Sequence, residues 1–144
     1  MLRVLVPIDG SACSMRAISY LLVLKEQLRP ALEVLLINVQ PHAPAVDMVL
    51  DGRPSAVRRL EAPLVAQGEA VLSAARRVLS EAGIEHRSFV ACGDPAQIIV
   101  DHAKTYHCEM IVMGREGAAT GLLIPGSVAA KVLRLAPAPV VLVP

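Results

Sequence analysis

Short, unbroken apolar runs alternate along this chain with longer segments whose apolar residues recur every three or four positions. The first run, Leu2 to Pro7, closes at Asp9-Gly10-Ser11 and predicts a strand, a turn and a helix start. Ser11 or Ser14 can cap that helix, which runs to about Arg29 and stops before Pro30. Glu33 to Val39 reads as the second strand. Pro41-His42-Ala43-Pro44 opens an irregular stretch to about Arg59, the longest loop predicted and a candidate movable flap. From Pro63 to Ala82 the residues Leu64, Val71, Leu72, Ala75, Val78 and Leu79 keep a helical period, ended by Gly83.

Glu85 to Ala91 is a third strand and the most polar, as an edge strand would be. In Gly93-Asp94-Pro95, Asp94 takes the N-cap of a further helix and Pro95 its first position. Met110 to Met113 is the fourth strand, running directly into Gly114. Val128, Val132 and Leu135 mark one face of a last helix, and Pro139 to Val143 is the fifth strand. Strands alternating with helices imply right-handed crossovers, a parallel sheet and helices on both faces. The expectation is a single domain over residues 1–144: an open, doubly wound α/β fold.

The apolar fraction of 54% is high enough to raise the question of a membrane. Runs such as Tyr20-Leu21-Leu22-Val23-Leu24 and Leu35-Leu36-Ile37 are far shorter than the roughly 20 residues of a bilayer span. The run before Pro7 is also too short for a signal-peptide core. Strands buried on both faces account for the excess instead. The net charge of +1, with no basic block, argues against nucleic acid as a partner. Tyr20, Phe89 and Tyr106 are the aromatic residues, so a bound base would pack on aliphatic side chains. Cys13, Cys92 and Cys108 form no C-x-x-C pair and are expected as free thiols in a reducing cytoplasm, with burial as small hydrophobes their ordinary role.

Open α/β sheets take ligands beyond the carboxyl ends of their strands, where the winding reverses. Two segments there carry unusual residues: Pro7-Ile8-Asp9-Gly10-Ser11, and Gly114-Arg115-Glu116-Gly117 continuing to Gly126-Ser127. Glycines let consecutive N–H groups approach an anion, and Gly126-Ser127 adds helix N-terminal amides and a hydroxyl. Asp9 can accept hydrogen bonds from a ribose. The same residues also suit ordinary βα turns. Other chemistry lacks support: G-x4-G-K-[S/T] is missing, His102 and His107 are poorly spaced for a shared metal, and no Cys–His nucleophile motif occurs.

The blocks Leu5-Val6-Pro7-Ile8-Asp9-Gly10-Ser11, Gly93-Asp94-Pro95, Ile111-Val112-Met113-Gly114, Gly126-Ser127-Val128 and Ala138-Pro139-Val140-Val141-Leu142-Val143 resemble the signature blocks of the universal stress protein family. They span the whole chain in order. The resemblance implies a five-stranded sheet ordered 3-2-1-4-5 and a homodimer, commonly paired through the fifth strand, here Pro139 to Val143. An apolar edge strand gives that pairing an independent reason. It also implies ATP as the ligand, with Mg2+ arriving only through bound phosphates. Asp9 would meet the ribose, Val39 the adenine through its backbone, and Gly114, Gly117, Gly126 and Ser127 the phosphates. Met113 and Val128 would flank them, with Pro7 and Ile8 beside Asp9.

The chain departs from the family's G-x2-G-x9-G-[S/T] pattern. Gly117 and Gly126 enclose eight residues, one fewer than the motif, which removes about 3.5 Å of reach. Pro125 has no N–H, Glu116 adds negative charge, and Ala118 to Pro125 hold no Lys or Arg. The leading expectation is a non-catalytic, ATP-binding stress-response dimer without catalytic or metal-ligating residues. The alternatives are a dimeric scaffold whose loop has lost the nucleotide and, last, a slow ATP hydrolase.

Overall fold

Neighbouring residues in each apolar run part to opposite faces of one parallel sheet. The computed structural model describes residues 1–40, 54–116 and 126–144, with the backbone alone for 54–62. The strands are β1 (Leu2–Pro7), β2 (Leu32–Gln40), β3 (Glu85–Cys92), β4 (Met110–Gly114) and β5 (Val140–Val143). The helices between them are α1 (Ala12–Gln27), α2 (Pro54–Glu81), α3 (Pro95–Thr105) and α4 (Ser127–Leu135). The sheet order is β3-β2-β1-β4-β5 with every pair parallel. This is the doubly wound α/β architecture, with β3 and β5 at the edges.

Val4, Val6, Val34, Leu36 and Val112 point to one face, where Ala17, Ile18 and Leu21 of α1 and Leu72, Ala75 and Leu79 of α2 cover them. Leu5, Leu35, Ile37, Ile111 and Met113 point to the other, against Ala96, Ile99 and Ala103 of α3 and Ala129 and Val132 of α4. A two-residue side-chain period and two covered faces leave no polar side for the central strands. The high apolar fraction of the sequence is therefore accounted for by this two-sided core.

Helix starts follow local chemistry. Ser11 caps α1 by accepting from the Ser14 amide at 3.1 Å, and Asp94 caps α3 by accepting from the Gln97 amide at 3.1 Å. The α1 helix ends at Gln27, two residues before Arg29. A larger departure concerns α2, which begins at Pro54 and not at Pro63, so residues 54–59 are helix where a loop was expected. Pro54 suits a first helical position, and Ala56 to Ala62 are mostly good helix formers, which carry the helix through Pro63. A proline alone does not distinguish a first turn from a tolerated interior site. The remainder of the expected flap, residues 41–53, lies outside the described residues.

At the amino ends of β1, β2 and β3 one carboxylate is almost wholly buried. Glu33, 5% exposed, accepts from Arg3 Nε at 2.6 Å through Oε2 and from Arg87 Nη2 at 2.8 Å through Oε1. Arg3 sits opposite Glu33 in the β1–β2 register and also donates from Nη1 to the Tyr106 carbonyl at 2.7 Å. Arg87 lies over the Tyr106 ring at 5.7 Å, and Tyr106 packs with Phe89 and His102. The Arg3 hydrogen bond, reinforced by Arg87, holds the Glu33 carboxyl below its ordinary range against the opposing effect of burial. Nearby, burial pushes the Cys108 thiol up to about 11, so it stays protonated at neutral pH.

Removing the Glu33 charge strands two guanidiniums, but these are one-third and half exposed. Glu33→Gln is therefore expected to cost about 2 kcal/mol, less than the 3–5 kcal/mol of a fully buried pair. A folded-state pKa held low stabilises fully above the unfolded value of 4.5 and is lost as pH falls through the folded value. Urea titrations should show the gap between wild type and Glu33→Gln shrinking from pH 6 to pH 3. A gap that stays constant would exclude this linkage.

Candidate functional site

At the carboxyl ends of β1 and β4 the chain leaves toward opposite faces, and a crevice opens between the two exits. It forms a cavity of about 290 Å³. Pro7, Ile8 and Asp9 line it from the β1 exit; Met113, Gly114 and Glu116 line it from the β4 exit. Ile37 and Val39 contribute from β2, and Ser14 from α1. The first turns of two helices complete the wall, Pro95 and Ile99 of α3 together with Gly126, Ser127, Val128 and Ala129 at α4. Nine of the ten site residues expected from sequence thus face one cavity, and the tenth, Gly117, lies outside the described residues.

The β1 exit is fixed by polar contacts. The Ile8 amide donates to the Ile37 carbonyl at 2.8 Å, and the Ile8 carbonyl accepts from Asn38 Nδ2 at 2.8 Å. Asn38 is 3% exposed, and its Oδ1 accepts from Gln40 Nε2 at 2.6 Å. Asp9 Oδ1 then accepts from the Ser11 amide at 2.9 Å, turning the chain into α1. Gly10 follows with φ of +85°, a conformation that L side chains rarely adopt.

The β4 exit is fixed by close packing. A Cβ on Gly114 would stand 2.9 Å from both the carbonyl carbon and Sγ of Cys13, and 3.0 Å from the Ser14 nitrogen. The start of α1 can therefore sit directly over the end of β4. Cys13 is buried, donates from Sγ to the Val143 carbonyl at 3.2 Å and accepts from the Glu116 amide at 3.5 Å. The thiol links α1, β5 and the segment leaving β4. Its burial agrees with the role expected from sequence; its hydrogen bonds leave no trace there.

The α4 start differs from the starts of α1 and α3. Gly126 is its N-cap, and among the described residues no side chain caps the first turn. The Gly126 amide donates to the Arg115 carbonyl at 2.9 Å, which brings the helix start back to the β4 exit. Uncapped first-turn amides and the positive end of the helix dipole favour an anion there. Beside it, Lys131 Nζ meets Asp94 Oδ2 at 2.8 Å, joining the starts of α3 and α4. The Lys131 hydrogen bond, followed by the Gln97 amide, holds the Asp94 carboxyl below its ordinary range.

The cavity thus combines an aliphatic wall, a carboxylate at Asp9 and an uncapped helix start. Among the described residues its lining holds two acids, Asp9 and Glu116, and neither Lys, Arg nor His. The hydroxyl of Ser14 donates to the Ser11 carbonyl at 2.9 Å. Of the lining residues outside the expected set, Ser14, Ile37, Glu116 and Ala129 lie within a few residues of expected ones along the chain, and Pro95 and Ile99 do not. They come from a helix distant in sequence, and only the Asp94 cap hinted that its start would be used.

A family model described as universal stress protein family matches residues 1–144. The chain belongs to that family. The universal stress protein MJ0531 of Methanocaldococcus jannaschii is 29% identical over 143 residues, covering 98% of this chain and 81% of the relative. Among solved structures, MJ0577 superposes with a TM-score of 0.83 at 22% identity, covering 99% of this chain and 94% of that one. A universal stress protein family member from Arabidopsis thaliana with AMP bound matches at 0.70, with 22% identity and coverage of 99% and 91%. The Archaeoglobus fulgidus universal stress protein in complex with dAMP matches at 0.66, with 18% identity and coverage of 100% and 98%. At these identities the structural likenesses carry the fold.

The tight contact at Gly114 gives this universal stress protein a structural demand inside its candidate site. Gly114→Ala forces α1 away from β4 and is expected to cost about 2 kcal/mol, the usual scale of overpacking. Denaturant midpoints measure this directly. An unchanged midpoint would mean that α1 yields freely.

Proposed function

We propose that this universal stress protein is a non-catalytic dimer that binds an adenine nucleotide in the crevice between β1 and β4 and acts in the stress response of the cytoplasm. The single observation that carries the reading is the cavity's combination of apolar wall, Asp9 carboxylate and uncapped α4 start. An aliphatic slot formed by Ile37, Val39 and Ile99 suits a base where aromatic platforms are lacking. Val39 would meet adenine through its backbone, and Asp9 the ribose hydroxyls. Gly114, Gly126 and Ser127 would hold phosphate, joined by Gly117, with Met113 and Val128 flanking and Pro7 and Ile8 shaping the ribose side. The AMP and dAMP complexes of the Arabidopsis and Archaeoglobus proteins support the choice of adenine nucleotides. ATP is the family ligand named by the sequence resemblance, and Mg2+ would enter only on its phosphates.

In this reading the site would hold its ligand without turning it over. Mass spectrometry of ligand released from the purified protein, followed by calorimetric titration, tests the reading. Asp9→Asn should weaken nucleotide binding about tenfold, about 1.4 kcal/mol, without lowering stability, and no phosphate should be released over hours. Absence of both released nucleotide and heat at millimolar concentration would leave a scaffold role in its place.

The dimer reading rests on β5, an all-apolar edge whose four residues are each only half-buried. The carbonyls of Pro139 and Val143 accept from β4, so the strand period turns the backbone groups of Val140 and Leu142 outward. Val140→Pro removes one outward donor without touching the β4 ladder. Sedimentation should find a dimeric wild type and a mainly monomeric variant; a variant that dimerises normally would point to another surface.

A further inference from the structure

We infer that the site selects nucleotides by phosphate number, preferring a nucleoside monophosphate to a triphosphate, and that Glu116 is the residue that sets this preference. The inference rests on the adenine-nucleotide reading above and adds to it which phosphate chain fits.

The charges around the phosphate position carry the argument. Among the described residues one anion site is present, the first turn of α4, worth roughly half a positive charge. One phosphate, with about −1.5 to −2 charges at neutral pH, uses it fully. Every further phosphate must lie beyond that turn, where Glu116 lines the cavity. Glu116 stands close to the α4 start because the Gly126 amide is bonded to the carbonyl of its neighbour, Arg115.

Among the described residues, counter-charge for a longer chain is lacking. Among the described residues no cation lines the cavity. Lys131, the nearest lysine along α4, is held by Asp94 at 2.8 Å. Arg115 does not line the cavity, and its Nη2 stands 3.7 Å from Glu116 Oε1, too long for a hydrogen bond and only a partial neutralisation. Residues 117–125 read Gly-Ala-Ala-Thr-Gly-Leu-Leu-Ile-Pro, so that segment brings no positive side chain by any path. A triphosphate would therefore place its added charges beside a carboxylate with no basic partner among the described residues. The cavity volume of about 290 Å³ also lies at the small end of ligand sites, roughly 300–1,000 Å³.

The test is calorimetric titration of the full chain and of Glu116→Gln with AMP, ADP and ATP at fixed ionic strength, in EDTA and again with millimolar Mg2+. In EDTA the wild type should bind AMP at least about tenfold more tightly than ATP, about 1.4 kcal/mol, with ADP between. Glu116→Gln should tighten ATP at least about fivefold more than it tightens AMP. Equal or tighter binding of ATP than AMP by the wild type in EDTA would overturn the inference, as would an unchanged AMP-to-ATP ratio in the variant. Tight ATP binding that needs both Mg2+ and Glu116 would also overturn it, because the carboxylate would then be holding the metal. If none of the three nucleotides binds, the adenine-nucleotide reading itself fails, a result distinct from lost discrimination. Circular dichroism of the variant confirms that the comparison is between folded proteins.

Discussion

Covering both faces of a parallel sheet leaves its central strands no polar side, and most of this molecule follows from that constraint. Val4, Leu5 and Val6 alternate between two separate cores, as do Val34, Leu35, Leu36 and Ile37. Polar side chains in the sheet interior are then confined to strand ends, where partners can reach them. Glu33 lies at the amino end of β2 with two arginines; Asn38 lies near the carboxyl end with Gln40 and the Ile8 carbonyl. The sheet order puts the exits of β1 and β4 side by side, and the candidate site lies where those exits diverge.

Much of the fold was legible because each local signal agreed with the global one. Apolar runs ended at turn residues, and Asp94-Pro95 announced a helix that begins with that cap. The start of α2 was misread because Pro63 carries the same signature at a first turn as inside a helix sustained by its neighbours. Long-range pairings were legible only through the family resemblance. Nothing within β1 or β2 says that Arg3 will stand opposite Glu33, since register arises only after strands meet.

The candidate site divides in the same manner. Residues at strand ends and in glycine-marked turns could be named from sequence, and those described gather around one cavity. Pro95 and Ile99 could not, because an apolar helix residue looks alike whether it faces a core or a crevice. The close approach that requires Gly114, and the thiol of Cys13 bridging α1, β5 and the Glu116 amide, are products of packing. Gly114 therefore answers to two demands at once: the seating of α1 and the room left beside the anion position.

The Glu33 clamp and the crevice lie at opposite ends of the strands, and a six-residue strand such as β1 spans about 20 Å. At that separation, effects on one end and on the other should add almost independently. The arginine clamp draws on none of the residues that line the crevice. A change of charge at Glu116 should therefore leave the clamp intact. What the crevice holds and what keeps the strands in register are set at opposite ends of the same sheet.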